Sequence, residues 1–250
     1  MKHQDGAGPR PVANPPRSWC AILPVRSFSV AKSRLGAELP DPPQLRAELA
    51  RAFALDVLAA VASCPSVDCV LIVGDGGPEL LSLLNETDDD LAAERVWAIS
   101  APAGLNLAVE HGEAWARERG HRRIAVIAAD LPCLTAEDLR TVLVGAALTP
   151  RGFVIDEGRS GTTMLTTAGP SLRPTFGQHS ARRHLASGAA PLPATAAARL
   201  DVDHLDALLR ARDLGVGTAT TAVLARHSIA PPNVADLGND PAQHRAVQGS

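Results

Sequence analysis

The sequence predicts an α/β protein with a mostly parallel central sheet and helices on both of its faces. Short apolar runs alternate with longer amphipathic stretches over most of the chain, and this alternation is typical of parallel strands joined by helical crossovers. The 250 residues are enough to build one sizeable core. A hydrophobic fraction of 46% and a charged fraction of 20% are ordinary for a globular chain.

Local patterns place the elements in order along the chain. Apolar runs bounded by turn residues predict strands, and apolar residues repeated at helical spacing predict helices. Thr135 is expected to cap a helix with Asp138 at its third position, and Gly74–Gly77 is interpreted as a turn. The strands are expected at 19–25, 69–73, 95–99, 121–129, 152–156 and 163–167, and the helices at 44–62, from Pro78 onward, at 106–119, after Thr135 and at 206–214.

Both ends of the chain differ in composition from the middle. Residues 1–17 and 227–250 are rich in Pro, Gly and polar residues, so the sequence predicts two disordered tails around one domain at 18–226. The N-terminus lacks the apolar stretch of a signal peptide, and no run approaches the roughly 18 apolar residues of a membrane span. We therefore expect a cytoplasmic protein without a membrane partner.

Charge and composition exclude several other kinds of partner. The formal net charge is −3 at pH 7, so no global basic field would hold nucleic acid. Three Trp, four Phe and no Tyr leave few aromatic surfaces on which bases could stack. The four cysteines lack zinc-ligand spacing and are expected to be reduced core thiols. His179 and His184 are five apart, which does not place two imidazoles on one helix face.

Basic side chains follow the first predicted strand. In open α/β sheets, ligands bind beyond the carboxyl ends of the strands, and Arg26, Lys32 and Arg34 follow the strand that ends at Val25. Three cations in that position would neutralise a triphosphate. A solvated basic loop is the alternative interpretation, since the glycine and lysine spacing of a P-loop is absent.

Carboxylates follow two other segments of the chain. Asp130 comes directly after six apolar or small residues, where a carboxylate is costly unless it binds a metal or accepts hydrogen bonds. Asp201 and Asp203 fall on one side of an extended segment, because strand side chains alternate. Mg²⁺ is typically held by one or two carboxylates together with phosphate oxygens. The alternatives are that Asp130 caps the following turn and that Asp203 caps the next helix.

A second anion site is predicted around residue 180. Ser180 is a good helix N-cap, and Arg182 and Arg183 in the first turn oppose the helix dipole unless an anion binds there. Gly177 would let the backbone approach that anion closely. Thr162 would add a hydroxyl from a neighbouring strand end. The sequence therefore predicts a phosphate-sized site between these residues.

Taken together, these segments resemble the 2-phospholactate/phosphoenolpyruvate guanylyltransferases of coenzyme F-420 biosynthesis. The resemblance spans about residues 19–215 and implies a Rossmann-like nucleotidyltransferase fold. The matching segments are Ile-Leu-Pro-Val-Arg at 22–26, Ala-Lys-Ser-Arg-Leu at 31–35, Gly-Leu-Asn at 104–106 with Ala108, Ala-Asp-Leu-Pro at 129–132, Asp156 with Gly-Thr-Thr-Met-Leu at 161–165, Phe-Gly at 176–177 with Ser180 and His184, and Asp-Val-Asp at 201–203.

The resemblance also implies roles for individual residues. Asp130 and Lys32 would be catalytic. The residues implied to bind the nucleotide are Arg26, Lys32, Arg34, Gly104 and Asn106. The residues implied to hold the acid are Thr162, Gly177 and Ser180, and those implied to hold Mg²⁺ are Asp130, Asp201 and Asp203. The expected partners are GTP and a small phosphorylated carboxylic acid, and a homodimer is the assembly considered.

The implied reaction transfers GMP from GTP to phosphoenolpyruvate or 2-phospholactate. A phosphate oxygen of the acid attacks the α-phosphorus of GTP and pyrophosphate leaves; with phosphoenolpyruvate the product is enolpyruvoyl-2-diphospho-5'-guanosine. The acid's phosphate is already anionic, so positioning and charge neutralisation would suffice for catalysis. Two alternatives remain: a nucleotidyltransferase for a molybdopterin or a sugar phosphate, and a non-catalytic nucleotide-binding regulator on the same fold.

Three positions depart from the family's usual pattern. Arg26 stands where the family usually has Lys. Gln178-His179 stands where Pro-Gly is frequent, and His204-Leu205 stands where Thr-Pro is frequent. The second departure affects the expected shape of the acid pocket, and the third affects which aspartate of the Asp-Val-Asp segment is expected to bind metal.

Overall fold

The computed structural model describes residues 19–29, 31–39, 42–85 and 95–227. The tail predicted at 1–17 lies outside these ranges, as do residues 228–250 of the tail predicted at 227–250. The strands are β1 (Trp19–Pro24), β2 (Val67–Val73), β3 (Val96–Ile99), β4 (Arg123–Ile127), β5 (Arg151–Ile155), β6 (Thr162–Ala168) and β7 (Ala190–Pro191). The helices are α1 (Ser33–Glu38), α2 (Pro42–Ser63), α3 (Gly77–Asn85), α4 (Leu105–Glu118), α5 (Ala136–Ala146), α6 (Ser180–Ala186), α7 (Leu205–Leu214) and α8 (Thr218–Arg226).

The described strands form one mixed, mostly parallel sheet in the order β3-β2-β1-β4-β6-β5-β7. Strand β6 runs antiparallel to its neighbours β4 and β5, and the other described pairs are parallel. The predicted mostly parallel sheet is therefore confirmed. Because β6 runs against β4, its first residue, Thr162, lies at the sheet edge where β4 ends. A 2.9 Å hydrogen bond from Ala128 N to the carbonyl oxygen of Thr163 joins the strands there.

Alternation along β1 divides the core between the two faces of the sheet. Ala21 and Leu23 pack in an apolar cluster with side chains of α2 and α5, whereas Cys20 and Ile22 pack in a second cluster with side chains of α4. All four side chains are fully buried. The predicted helices on both faces are thus confirmed. Among the described helices, none combines the length and the apolar character that crossing a membrane requires.

Two local signals act as the sequence predicts. The Thr135 hydroxyl accepts a 3.1 Å hydrogen bond from Asp138 N, and the Asp138 carboxylate accepts one of 3.1 Å from Thr135 N. This reciprocal cap satisfies two backbone donors at the start of α5. The turn at Gly74–Gly77 is also present, and a Cβ at Gly76 would lie 2.4 Å from the carbonyl oxygen of Arg26. That turn therefore packs directly against the basic loop after β1.

The sequence analysis missed α1, β7 and α8, and α8 shows why. The residue before α8, Gly217, provides no side-chain cap. Instead Asp56 of α2 accepts hydrogen bonds from Ala219 N at 2.9 Å and from Thr220 N at 3.0 Å. The group that caps this helix comes from a distant part of the chain, so a local pattern could not reveal it.

Candidate active site

A cavity of about 730 Å³ opens at the edge of the sheet where β1 and β4 end. Ligand pockets commonly measure roughly 300–1,000 Å³, so this cavity has room for a nucleotide-sized ligand. It brings together most of the site residues predicted from the sequence; Gly104 and Asn106 do not line it. The predicted residues that line it are Arg26, Lys32, Arg34, Asp130, Thr162, Gly177, Ser180, Asp201 and Asp203.

Lys32 occupies the acidic side of this cavity. It precedes α1 in a left-handed backbone conformation, with φ 55° and ψ 41°, which is uncommon for a residue other than glycine. Its ammonium donates to the carboxylate of Asp130 and, at 2.6 Å, to Oδ1 of Asp203. The side chain is only 11% exposed. The charge of Lys32 is therefore directed at two carboxylates.

A third carboxylate, that of Asp201, lies beside the two that bind this ammonium. Burial, followed by repulsion from Asp130 and Asp203, raises the pKa of Asp201 to about 7. Burial also disfavours ionisation of Asp203, but attraction to Lys32 prevails and holds the pKa of that carboxyl below its ordinary value. Burial likewise lowers the pKa of Lys32, but Asp130 and Asp203 outweigh it, so the net shift is upward. The cluster thus carries more negative charge than Lys32 neutralises.

Asp130 has one carboxylate oxygen without a partner. Its Oδ2 contacts Lys32, whereas its Oδ1 is buried and accepts no hydrogen bond from any described residue. Val202 N donates a 3.0 Å hydrogen bond to the carbonyl oxygen of Asp130, which holds Asp201 and Asp203 beside it. A buried carboxylate oxygen is costly when unpartnered. The alternative that the Asp130 side chain caps the next turn is therefore wrong for the described residues.

Glu38, the last residue of α1, connects the basic loop to the Asp-Val-Asp segment. Its carboxylate accepts a 2.8 Å hydrogen bond from Leu205 N and lies 3.1 Å from His204 Nδ1. The bond from Leu205, followed by that from His204, lowers the pKa of Glu38. Glu38 thus caps α7, so the alternative that Asp203 caps this helix is wrong. A proline at 205 would lack the N–H that Glu38 binds.

The surroundings of the basic loop hold its backbone in place. Ser27 N donates a 2.9 Å hydrogen bond to Oδ1 of Asp75 in the glycine-rich turn. The guanidinium of Arg46 in α2 donates to the carbonyl oxygen of Ser29 at 2.6 Å and to that of Ala31. These contacts fix the loop from both sides without using the side chains of Arg26 and Arg34.

Arg26 and Arg34 differ from Lys32 in having no described partner. Both are exposed, line the cavity and form no hydrogen bond or ion pair with any residue that the structure describes. Arg34 is close enough to Asp203 to lower the pKa of that carboxyl. Two unpaired guanidinium groups at the mouth of a cavity are suited to bind an anionic ligand. The alternative of a merely solvated loop does not explain why the loop is braced at the cavity.

The opposite side of the cavity is lined by hydroxyl groups, and its one carboxylate among the lining residues, that of Asp156, accepts backbone hydrogen bonds. Ser180 Oγ donates to Thr162 Oγ1 at 3.2 Å, and His184 Nδ1 lies 3.0 Å from the same oxygen. Ser180 and His184 are buried. Gly177 has φ 111°, a conformation that side-chain-bearing residues rarely adopt. Thr162, Gly177 and Ser180 are therefore brought together as the sequence predicts.

Two parts of the predicted anion site are wrong. The N-cap of α6 is His179 in a left-handed conformation (φ 54°), and Ser180 is the first helical residue, with its hydroxyl bound to Thr162. The guanidinium of Arg183 donates to the carbonyl oxygens of Thr175 at 2.9 Å and of Phe176 at 3.0 Å. Arg183 therefore stabilises the preceding turn and is not free to neutralise a ligand.

Asn106 acts on the cavity through its neighbour Phe176. Its Oδ1 accepts a 2.8 Å hydrogen bond from Phe176 N, and its Nδ2 donates to the Phe176 carbonyl oxygen at 3.3 Å. Phe176 lines the cavity. Gly104 precedes α4 with φ 107°. A direct contact of Gly104 or Asn106 with a nucleotide stays a prediction.

Asp156 is a site-shaping residue to which the sequence analysis assigned no role. Its carboxylate accepts hydrogen bonds from Ser160 N at 2.8 Å and from Gly161 N at 2.7 Å. A Cβ at Gly161 would lie 2.4 Å from Oδ2 of Asp156, so a side chain there would displace this carboxylate. The turn presents Thr162 to the cavity. An Asp at the start of a Gly- and Ser-rich segment is a recognisable turn signal, whereas His184 was marked only by the family resemblance.

The architecture is that of a nucleotidyltransferase. A nucleotide-diphospho-sugar transferase from Desulfovibrio desulfuricans superposes with a TM-score of 0.61 at 16% identity, covering 84% of this chain and 95% of that one. A 4-diphosphocytidyl-2C-methyl-D-erythritol synthase superposes with a TM-score of 0.52 at 18% identity, covering 79% of this chain and 99% of that one. At these identities the likeness concerns the fold alone.

Sequence comparison then defines the family. The model of the CofC-like guanylyl transferases matches residues 19–190. A phosphoenolpyruvate guanylyltransferase from Streptomyces coelicolor is 42% identical over 219 residues, covering 85% of this chain and 98% of that protein. Another, from Geodermatophilus obscurus, is 39% identical over 220 residues, covering 83% of this chain and 94% of that protein. The chain belongs to the CofC-like guanylyl transferase family.

Proposed function

We propose that this protein transfers GMP from GTP to phosphoenolpyruvate and so serves coenzyme F-420 biosynthesis. The observation that carries the proposal is the division of one cavity into an acidic side flanked by arginines and a hydroxyl-lined side. The side flanked by arginines suits a triphosphate, and the hydroxyl-lined side suits a smaller anion. Relatives about 40% identical over most of the chain are phosphoenolpyruvate guanylyltransferases.

The acidic cluster fits a divalent cation such as Mg²⁺. Among the described residues Asp130 Oδ1 is buried without a partner, and burial together with its acidic neighbours raises the pKa of Asp201. Asp130, Asp201 and Asp203 offer only oxygen donors, which are the ligands that Mg²⁺ prefers. When bound, the ion would neutralise charge on the phosphates during transfer. The excess negative charge of the cluster supports this assignment.

The basic residues would bind and orient the triphosphate. Arg26 and Arg34 line the cavity with guanidinium groups that no described residue binds, and bidentate bonds from them to phosphate oxygens are favourable. Lys32 sits between Asp130 and Asp203 and would keep these carboxylates in place while facing the α-phosphate. A phosphate oxygen of the acid forms the new bond to the α-phosphorus. The bond from the α-phosphorus to the bridging oxygen breaks, and pyrophosphate leaves with that oxygen.

The acid would lie on the hydroxyl-lined side of the cavity. Thr162 and Ser180 provide hydroxyl groups, and Gly177 provides backbone without a side chain. No protein nucleophile is required, since the attacking oxygen belongs to the acid's own phosphate. The work of the chain is to bring the two phosphorus centres together and to exclude water, which is a contribution of positioning.

Mass spectrometry of the product tests this function. The purified chain is incubated with GTP and Mg²⁺ and with either phosphoenolpyruvate or 2-phospholactate. We expect a diphosphate adduct of GMP with phosphoenolpyruvate, together with pyrophosphate. Asp206→Asn, an exposed change on α7, is the control that should form product like the parent chain. Absence of any GMP adduct with either acid would contradict the proposal, and an adduct with 2-phospholactate alone would change the substrate.

A further inference from the structure

The imidazole of His184 is held in a single protonation state by its surroundings. It is completely buried in α6, against the rings of Phe153 and Phe176. Thr175 N donates a 3.0 Å hydrogen bond to its Nε2, so that nitrogen carries no proton. Burial, followed by the charges of Arg151 and Arg183, lowers the pKa of His184 to about 4. The neutral ring therefore has its proton on Nδ1.

The position of that proton determines the direction of the next hydrogen bond. Nδ1–H lies 3.0 Å from Thr162 Oγ1 and must donate to it. Ser180 Oγ donates to the same oxygen at 3.2 Å. A hydroxyl has two lone pairs and one hydrogen, so both lone pairs of Thr162 are occupied. Its own hydrogen has to point elsewhere, and Thr162 lines the cavity.

We infer that His184 is a positioning residue that makes the Thr162 hydroxyl a committed hydrogen-bond donor to the anionic acceptor substrate. This inference rests on the proposed function, which places the acid at Thr162. Because both lone pairs of the Thr162 oxygen are occupied, this hydroxyl loses little rotational freedom when the acid binds, and it cannot present a lone pair to the anion. Chains of hydrogen bonds also strengthen one another in a buried setting. The chain from Thr175 through His184 to Thr162 thus selects an anion at this position.

Two amide substitutions separate the two nitrogens of His184. In His184→Asn the amide nitrogen takes the place of Nδ1 and can still donate to Thr162. In His184→Gln the amide oxygen takes the place of Nε2 and can still accept from Thr175 N, but the donor to Thr162 is lost. Loss of one charge-assisted hydrogen bond should raise the KM for phosphoenolpyruvate roughly tenfold in His184→Gln. His184→Asn should stay within about threefold of the parent, with the KM for GTP unchanged in both.

A double-mutant cycle with Thr162→Val keeps the inference testable if either amide variant is unstable. When His184 acts through Thr162, His184→Gln should have no further effect on the acid's KM once the hydroxyl is gone. Equal effects of the Asn and Gln variants, or an undiminished effect of Gln in the Thr162→Val background, would overturn the inference. If Thr162→Val itself leaves the acid's KM unchanged, the proposed acid pocket fails instead.

A separate cluster of soft ligands lies at the other edge of the sheet, where β1 and β2 begin. The buried thiols of Cys20 and Cys69 are 3.1 Å apart on these neighbouring strands. A ring nitrogen of His121 joins them, and the three ligand atoms lie within 4.8 Å of one another. Neither the sequence spacing nor the proposed reaction accounts for this convergence.

An irregularity in strand pairing adds a carboxylate to this cluster. Trp19 pairs with Val67 and Cys20 pairs with Cys69, so Asp68 is an extra residue in β2. Such bulges redirect a side chain. Oδ1 of Asp68 is buried, accepts no hydrogen bond from any described residue and lies 3.8 Å from His121 Nδ1. A carboxylate beside an imidazole is the usual way in which a metal-bound histidine is oriented.

We propose that Cys20, Cys69 and His121 bind one Zn²⁺, with Asp68 orienting the imidazole. Two thiolates and an imidazole suit Zn²⁺ at tetrahedral distances of about 2.0–2.3 Å, and the oxygen-rich Mg²⁺ site lacks such ligands. Each thiol releases its proton to solvent as its sulfur–metal bond forms. His121 is partly exposed and gives the ion a path into an otherwise closed site.

Titration of the metal-free, reduced chain with Co²⁺ tests this site. Thiolate ligands give Co²⁺ an intense ligand-to-metal absorption that carboxylates do not, so the acidic cluster does not interfere. We expect one equivalent of this signal, its displacement by Zn²⁺, and its loss in Cys69→Ser and in the surface change His121→Ala. Cys64→Ser removes an equally buried thiol elsewhere and should leave it intact. No thiolate signal, or an unchanged signal in Cys69→Ser and His121→Ala, would overturn the proposal.

Discussion

The acidic side and the hydroxyl-lined side of the cavity differ in how fully their polar groups are paired before a ligand binds. On the acidic side, Asp130 and Asp203 bind one ammonium, Asp130 Oδ1 has no described partner and the pKa of the neighbouring Asp201 is raised to about 7. On the hydroxyl-lined side, the hydroxyl of Thr162 accepts two hydrogen bonds, and both nitrogens of the His184 imidazole form hydrogen bonds. The acidic side carries excess negative charge until a cation binds, whereas the polar groups of the hydroxyl-lined side are already hydrogen-bonded to one another. Mutations on the acidic side and in the basic loop should therefore impair turnover or GTP binding, whereas mutations on the hydroxyl-lined side should impair binding of the acid.

The largest expected effect is that of Asp130→Asn. If Asp130 holds the divalent cation, turnover should fall by about two orders of magnitude or more, because charge neutralisation in the transition state is lost. The substitution keeps the shape of the side chain and leaves Lys32 paired with Asp203, so the protein should remain folded. Steady-state kinetics together with circular dichroism check this expectation. A folded Asp130→Asn variant with parental turnover would contradict the assignment of Asp130 as a metal ligand.

Removal of the cations from the basic loop should act on GTP. Arg34→Ala and Lys32→Ala should each weaken GTP binding by about 1–3 kcal/mol, the range for a charge-assisted hydrogen bond. Calorimetric titration with GTP measures this. Arg122→Ala, an exposed arginine beside β4 at the other edge of the sheet, is the matched control and should leave the affinity unchanged. Parental GTP affinity in both loop variants would restore the interpretation of a solvated basic face.

On the hydroxyl-lined side, Ser180→Ala should weaken binding of the acid. The variant removes one of the two donors to Thr162 Oγ1, so the KM for phosphoenolpyruvate should rise several-fold, corresponding to about 1 kcal/mol for one neutral hydrogen bond. The KM for GTP should change much less. Initial rates with each substrate varied in turn provide the comparison. If both constants rise together, the two sides of the cavity do not divide the substrates as proposed.

The smallest expected effect is on stability and depends on pH. The folded pKa of Asp201 is raised to about 7, so the folded state holds this proton more tightly than the unfolded state does. The associated stability is present at pH values below the ordinary carboxyl pKa and is lost as the pH rises through about 7. Asp201→Asn should therefore raise the Tm of the metal-free protein at pH 8, on the order of a few degrees. The gain should shrink towards pH 4, and thermal scans that show a constant gain would contradict it.

How much the sequence could predict depends on how local each signal is. The alternation of strands and helices, the Thr135 cap and the residues after β1 and β4 follow from short segments, and most of the predicted site residues line one cavity. Long-range contacts were not predictable. The cap of α8 comes from Asp56, and the cap of α7 comes from Glu38. The helix rule also placed the α6 cap at Ser180, because the left-handed conformation of His179 leaves no mark in the sequence.

We propose that the acidic side of the cavity is a divalent cation site. Titration of the nucleotide-free protein with Mn²⁺, followed by electron paramagnetic resonance of the free ion, tests it most directly. The parent chain should bind Mn²⁺ at a site that Mg²⁺ competes for, and Asp130→Asn should bind it with more than roughly tenfold lower affinity. Asp206→Asn, an exposed aspartate of α7, should bind like the parent. Equal Mn²⁺ affinity in the parent chain and in Asp130→Asn would contradict the assignment of a divalent cation site to Asp130.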